Sequence, residues 1–387
     1  MSHELSSLLI LATSGRSMAE SARRGGYSVT VFDTFCDQDT QVAAACYQIS
    51  FSVDDLDPSA LLSTLESPLP GCPDGLVYGA GLEGASSFLS RLAEHYTLLG
   101  NDPAVVRILA ETTSFFELLD RHQIPHPEVR FDLPKSGTAK EWLVKRAGSC
   151  GGMGVTFFNP MQSVKGSDYY FQRYLHGSVM SALFIADGTR HHTIGYNDLK
   201  MTAIEELGPL LYGGAIGQAS LEHTLRRRVE DCIEKLVVNL GLRGVNSLDF
   251  ILSDGELFVI DLNIRPTATL ELYEHQLTDG WMKRHVEACL GSLPEVLPII
   301  KSARVYGHQI VYAPSALVIP ANITWPEWVS DRPVTDTRIA RGEPVCSLLT
   351  QDKSTDAVER RLQRYQNEIL SMISSSSRRL LQEKNIA

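Results

Sequence analysis

The sequence predicts an α/β region at the N-terminus followed by an α+β region. Over the first hundred residues, short apolar runs alternate with helix-length segments, which is the grammar of a parallel sheet with covering helices. From about residue 140 the spacing shortens to hairpin length, and clustered strands precede the return of helix. The chain is 387 residues long, 43% hydrophobic and 21% charged, enough for two or three domains with packed cores.

Taken in order, Ser7–Ala12 reads as a strand leading into Thr13-Ser14-Gly15-Arg16. A helix from about Ser17 to Arg24 is broken by Gly25-Gly26, and Val29–Phe32 forms a strand ending at Asp33. Gly75–Tyr78 is a strand that ends in Gly79-Ala80-Gly81. Gly100-Asn101-Asp102-Pro103 opens a helical stretch through Asp120, and Ile124-Pro125-His126-Pro127 closes it because proline cannot continue a helix. Glu141–Arg146 and Val155–Phe158 read as strands flanking a loop at Ala147–Gly154, and Tyr169–Tyr174 and Val179–Ala186 continue the pattern. Helix is expected over Leu221–Leu240, then strands Ser247–Leu252 and Leu257–Ile264 around Ser253-Asp254-Gly255. After Pro298 the chain is β-rich and closes with a charged helix from about Thr355, with the polar tract Ser371–Ser376 expected to fray. There is no internal repeat.

Lysine plus arginine number 35 against 46 acidic residues, a net charge of −11. That argues against a nucleic-acid partner, whose binding rests on excess cations. No apolar run approaches the ~20 residues that span a bilayer, and Leu8–Ala12 is too short for a signal core. Seven scattered cysteines with no Cys-x-x-Cys spacing fit a reduced, cytoplasmic protein and offer neither a disulfide framework nor a metal site.

Three segments carry candidate chemistry. In Trp142–Val155, glycines 148, 151, 152 and 154 follow Lys145. A β-type run comes next, so the loop reads as a β-loop-β flap whose backbone N–H groups approach phosphate oxygens without Cβ interference. The alternative is a surface hairpin with a loose tip. In Ser247–Pro266, the even positions Leu248, Phe250, Leu252, Phe258, Ile260, Leu262 and Ile264 are apolar and read as the core face. Asp249, Asp261 and Asn263 point to the opposite face. A turn of three or five residues puts all three on one side of the hairpin, and a five-residue turn sets Asp249 across from Asp261. Opposed carboxylates destabilise a ladder and call for a cation, and their hard oxygens suit Mg²⁺. The alternative is a solvated polar face, which Arg265, fixed before Pro266, makes less attractive. Finally, Tyr170–Ser178 is a strand running into a glycine connection, a weak sign of a hinge. His191-His192 reads as a solvated hairpin end.

In this order the segments resemble an ATP-grasp enzyme. The resemblance implies a Rossmann-like pre-ATP-grasp domain over 1–103, an ATP-grasp domain over 104–300 and a C-terminal β-rich segment with a helix over 301–387. It implies phosphate binding by Lys145 with Gly151, Gly152 and Gly154, and an adenine hinge at Gln172, Arg173, Tyr174 and Leu175. It also implies metal ligation by Asp249, Asp261 and Asn263, and an anion-facing Arg265. Asp261 is one methylene shorter than the glutamate usual there, Arg173 replaces a common glutamate, and Arg107 is the nearest cation where a lysine often begins the preceding helix. Tyr78-Gly-Ala-Gly-Leu-Glu83, Tyr212-Gly-Gly-Ala215 and Gly342-Glu-Pro-Val-Cys346 resemble carboligases related to biotin carboxylase. The chain is also similar to tyramine–glutamate ligases of methanofuran-type cofactor synthesis.

What this implies is an ATP-dependent carboxylate–amine ligase working through an acyl phosphate, with glutamate as one expected partner, two Mg²⁺ ions (Mn²⁺ as an alternative) and a homodimeric state. Tyr212 and the segment 267–274 are candidates for the acceptor wall. Competing readings are a carboxylase that activates bicarbonate and a non-catalytic ATP-binding module.

Overall fold

A computed structural model describes residues 5–49, 61, 65, 73–134, 140–160, 168–205 and 207–384, with side chains to 374. The N-terminal strands β1 (Ser7–Ala12), β2 (Ser28–Asp33), β3 (Ala45–Gln48), β4 (Gly75–Tyr78) and β5 (Thr97–Leu98) form a parallel sheet in the order β3-β2-β1-β4-β5. Helix α1 (Arg16–Arg24) starts where the Asp33 carboxylate accepts the Gly15 N–H at 2.7 Å. The short α2 (Gln38–Ala43) and α3 (Ser86–Leu92) complete this region.

The single helix expected from Pro103 to Asp120 is two, α4 (Pro103–Ala110) and α5 (Thr112–Arg121). Asp102 caps the first by accepting the Ala104 N–H at 2.7 Å. Glu111 between them has extended backbone (φ −81°, ψ 91°), and its carboxylate accepts the Ser114 hydroxyl at the start of the second.

A four-stranded antiparallel sheet follows, from β6 (Val129–Arg130), β7 (Trp142–Arg146), β8 (Thr156–Phe157) and β9 (Tyr169–Arg173), in the order β6-β9-β7-β8. The large antiparallel sheet takes β10 (Ser178–Asp187), β11 (His191–Ile204), β12 (Gly208–Ile216), β13 (Arg243–Ser253), β14 (Glu256–Asn263) and β15 (Val305–Tyr312). The small strands β16 (Leu317–Val318) and β18 (Arg338–Ile339) pair with each other, while β17 (Val329–Ser330) and β19 (Pro344–Asp352) join the large sheet. Its order is β14-β13-β10-β11-β12-β15-β19-β17.

Helix α6 (His223–Leu240) buries Val229, Ile233, Leu236 and Val237 in one core with Phe184, Leu248 and Phe250. A 3-10 helix, Ala268–Gln276, and α7 (Trp281–Cys289) follow the hairpin. Trp281, Met282 and Val286 share a core with Met18, Ala19 and Ala22 of α1. The last helix, α8 (Thr355–Lys384), packs Val358 and Leu362 on the sheet, and the polar tract 371–376, expected to fray, lies within it.

Arg16, 2% exposed, ties distant parts together. Its guanidinium donates to Glu271 at 2.5 and 2.8 Å and to Asp331 at 2.8 Å. The cysteines depart from expectation: Cys36 and Cys46 are disulfide-bonded. The pairing follows from topology, since Cys46 sits beside Val31 in the parallel register and the loop after β2 folds Cys36 back over it. Cys150, Cys232, Cys289 and Cys346 are free, and Cys72 lies outside the described residues. Among the described residues no helix is long and apolar enough to cross a membrane.

Candidate active site

The hairpin of β13 and β14 sets the floor of the site. Ser253 pairs with Glu256, leaving a two-residue turn at Asp254 (φ 52°) and Gly255 (φ 80°). Positive φ at both central positions is the type I′ geometry that Asp-Gly favours. The turn is therefore even, not the three or five residues expected, and continued regular pairing would set Asp249 opposite Ile260. A bulge corrects the phase: Phe250 pairs with Val259, Ile260 is unpaired, and Asp249 pairs with Asp261. The core face of β14 changes accordingly. Leu257 and Val259 are fully buried, whereas Phe258 and Ile260, expected in the core, are only partly buried, and Ile260 lines the cleft.

Asp249, Asp261 and Asn263 thus share one side, facing the cleft. The Ser247 hydroxyl and the Asn263 amide each donate to Asp249 at 3.1 Å. Burial, and then the Asp261 charge, push the Asp249 carboxyl up to about 7. Asp261 is open to the cleft but walled by protein; burial raises its carboxyl too, against the pull of Lys145 and Arg265. Two carboxylates that resist joint ionisation fit a hard divalent cation, while the Asn263 amide turns its nitrogen to Asp249 and its oxygen to Arg265 Nη2 at 3.1 Å, bonds it would release to join them. Among the described residues no group of three or more His, Cys, Asp and Glu converges on one point. The protein thus offers a partial shell, and phosphate and water oxygens would complete it, as Mg²⁺ commonly requires.

Lys145 on β7 sits above this floor. Its ammonium donates to Gln172 at 3.2 Å and lies 5.7 Å from the Tyr170 ring centroid. Burial lowers its pKa, but Tyr170, Asp261 and Asp249 outweigh that and leave it raised, so the charge is retained. After Lys145 the chain forms the β-loop-β flap, since β7 pairs with β8. Gly148, Gly151, Gly152 and Gly154 all have positive φ. The flap is closed onto β12, where the Tyr212 N–H donates to the Gly151 carbonyl at 2.9 Å. A Cβ on Gly152 would lie 2.0 Å from the Leu210 carbonyl oxygen, so only glycine fits.

The hinge closes the other end. Gln172 (4% exposed), Tyr174 and Leu175 line the cleft together with Pro127, Leu143 and Val179. Arg173 does not, because alternation along β9 turns it to the other face, where it lies 5.6 Å over Trp142 and pairs with Glu141 at 3.1 Å. Gly154 and Arg107 also lie off the cleft, and Arg107 is exposed. The enclosed volume is about 360 Å³, and a recess of about 100 Å³ behind it shares Lys145, Asp261 and Arg265. A larger groove of about 830 Å³ between β11, β12, β15 and α8 holds none of the predicted residues except Tyr212's neighbours Gly213 and Gly214.

Sequence reasoning gave no role to Ser247, Ser181 or Glu83. Ser247 stands at an odd position on the same strand as Asp249, so alternation alone could have added it. Ser181 faces Asp249 across β10 and β13, which no local pattern signals.

A sequence profile described as the ATP-grasp domain matches residues 110–269, the span that holds flap, hinge and hairpin. This chain carries an ATP-grasp domain. Among solved structures, the biotin carboxylase domain of *Hydrogenobacter thermophilus* 2-oxoglutarate carboxylase, in complex with MgADP, ADP and bicarbonate, superposes with a TM-score of 0.72 at 12% identity, over 93% of this chain and 89% of that one. The L-amino acid ligase of *Bacillus licheniformis* gives 0.71 at 17% identity, over 94% and 97%. These likenesses establish a mixed α/β ATP-grasp fold. Among curated relatives, the carbamoyl phosphate synthase large chain of *Thermoplasma acidophilum* is 27% identical over 127 residues, 31% of this chain and 11% of that protein. An uncharacterised *Methanocaldococcus jannaschii* protein is 23% identical over 118 residues, 30% of this chain and 29% of its own length. The chain therefore spans about a tenth of the first relative and under a third of the second.

Proposed function

We propose that this ATP-grasp protein is an ATP- and Mg²⁺-dependent carboxylate–amine ligase. The observation that carries the reading is the convergence of Asp249, Asp261 and Asn263 with Lys145 beneath a closed glycine flap. On this reading, Gln172, Tyr174 and Leu175 line the adenine slot. Lys145 holds phosphate oxygens, and the flap amides of Gly151 and Gly152 cover them. Mg²⁺ held by Asp249, Asp261 and Asn263 would neutralise charge on the β and γ phosphates.

A substrate carboxylate oxygen attacks the γ-phosphorus and ADP leaves. The acceptor amine then attacks the acyl carbon, phosphate departs and the amine loses a proton, leaving an amide. Arg265 stabilises the charge that gathers on the acyl phosphate oxygens, and the flap excludes water that would hydrolyse that intermediate. The same proposal divides the chain into units 1–103, 104–300 and 301–387. It takes the protein to be a cytoplasmic homodimer, with glutamate as one candidate substrate.

The test is a phosphate-release screen of carboxylate and amine pairs with ATP and Mg²⁺. The expected result is ADP and phosphate release that needs both partners, and a loss of roughly 10²-fold or more in Lys145→Ala and Asp261→Asn with the fold intact. Turnover with bicarbonate and no other carboxylate would replace this reading with the carboxylase one. Wild-type rates in either variant would remove the roles assigned to those residues.

A further inference from the structure

Arg265 is 8% exposed and borders both the main cleft and the recess behind it. Its guanidinium is held along one edge. Nε donates to Glu83 Oε1 at 2.7 Å, and Nη2 approaches the same oxygen at 2.6 Å. Nη2 also donates to Asn263 Oδ1 at 3.1 Å. Nη1 has one long contact, 3.4 Å, to the carbonyl of its own neighbour Pro266. The donor capacity left over is therefore on Nη1.

Glu83 reaches Arg265 from 182 residues away, and it is itself fixed. Its Oε2 accepts the Gly81 N–H at 2.8 Å. The loop that carries it is stapled to the end of β1. The Thr13 N–H and hydroxyl both donate to the Ala80 carbonyl, at 2.8 and 3.0 Å, and the Gly79 N–H donates to Leu11 at 2.8 Å. A carboxylate on a rigid loop, gripping two nitrogens of one guanidinium, fixes the plane of that group. Without it, Arg265 would be free to turn toward Asp261, whose charge already acts on it, and to compete with a cation for that carboxylate.

We infer that Glu83 is the positioning residue for Arg265, presenting Nη1 to the transferring phosphoryl group and keeping the arginine off the metal-facing carboxylates. The inference rests on the ligase reading above and adds to it a member from the N-terminal sheet. Glu83 lines the recess that Lys145 and Arg265 also border but not the base slot, so its loss should act on the chemical step. Displacement of a positioned group by about 1 Å is enough to cost on the order of 10²-fold.

Two measurements on the full-length protein test it. In steady-state kinetics, Glu83→Ala should lower kcat by roughly 30- to 100-fold with KM for ATP changed less than about threefold. Glu83→Gln keeps an acceptor for Nε and should recover about tenfold of that loss. A merely structural residue would instead lower thermal stability and raise KM together, or leave kcat within twofold of wild type, and either result overturns the inference. In ¹⁵N spectra of the arginine side chains, the Arg265 Nε–H signal, assigned by its absence in Arg265→Lys, should be slowly exchanging in wild type and lost in Glu83→Ala. Its persistence in Glu83→Ala would overturn the hold itself. That spectrum needs no turnover. A wild-type protein inactive across the whole substrate panel would sink the ligase reading and Glu83's part in it, while the signal would still report whether Glu83 grips Arg265.

Discussion

Replacing Gly152 with alanine should disable the flap while leaving the rest of the site untouched. The added Cβ would stand 2.0 Å from the Leu210 carbonyl oxygen and 3.1 Å from the Leu211 Cα. Backbone on both sides of that contact leaves no flexible side chain to yield. Ordinary contact begins near 3.4 Å, so the flap must withdraw by more than 1 Å. Alanine at φ 78° adds about 1–2 kcal/mol. Withdrawal also breaks the Tyr212 N–H bond to Gly151, worth about 1 kcal/mol. The closed state then lies roughly 2–3 kcal/mol higher, which corresponds to a population fall of about 30- to 150-fold. In a coupled assay of ADP and amide, Gly152→Ala should lose amide formation by about that factor. The ratio of ADP released to amide formed should rise, because an acyl phosphate under an open flap meets water. Unchanged amide formation with the same ratio would show that closure onto β12 has no part in turnover.

Asp249→Asn should stabilise the metal-free fold, and should abolish phosphate release when ATP and Mg²⁺ are supplied. The Asp249 carboxyl is raised to about 7, above its ordinary 3.8. The stability it contributes is therefore full below about pH 4 and is lost as pH rises through about 7. At pH 8 the variant should exceed wild type by roughly 1–3 kcal/mol, with the gap closed near pH 4. A lower melting temperature than wild type at pH 8 would contradict the opposed-charge account. Cys36→Ser should cost about 2–3 kcal/mol under oxidising conditions, as expected for a loop closed over ten residues. Equal melting temperatures for this variant and untreated wild type, with no effect of reductant on either, would show that the pair is not joined in solution.

Three of the five strands of the parallel sheet, β1, β2 and β4, were legible because each apolar run is followed within a few residues by a glycine or an acid, whereas β3 and β5 are too short or too polar to stand out. The polar row of the hairpin was legible because period two separates Asp249, Asp261 and Asn263 from their apolar neighbours. Its register was not. The Asp-Gly pair at 254–255 is itself a strong signal for a two-residue turn, and the bulge that corrects it falls on Ile260, which no glycine or proline marks. The orientation of Arg173 was available from the same alternation that turns Gln172 into the cleft. Glu83 and the Cys36–Cys46 bond depend on contacts made by the folded topology, and no local spacing announces them. The break at Glu111 was hidden because the helical pattern resumes at once.

The unpaired Ile260 makes the chemistry a matter of counting. Delete that one residue and the ribbon would zip evenly from its tip, with Asp261 still opposite Asp249 and Asn263 still on the cleft side. Delete Leu262 instead and Asn263 would take its place opposite Leu248, on the side that faces the hydrophobic interior. A mutational scan confined to substitutions would miss this contrast, whereas a single-codon deletion library should find position 260 tolerant and position 262 intolerant.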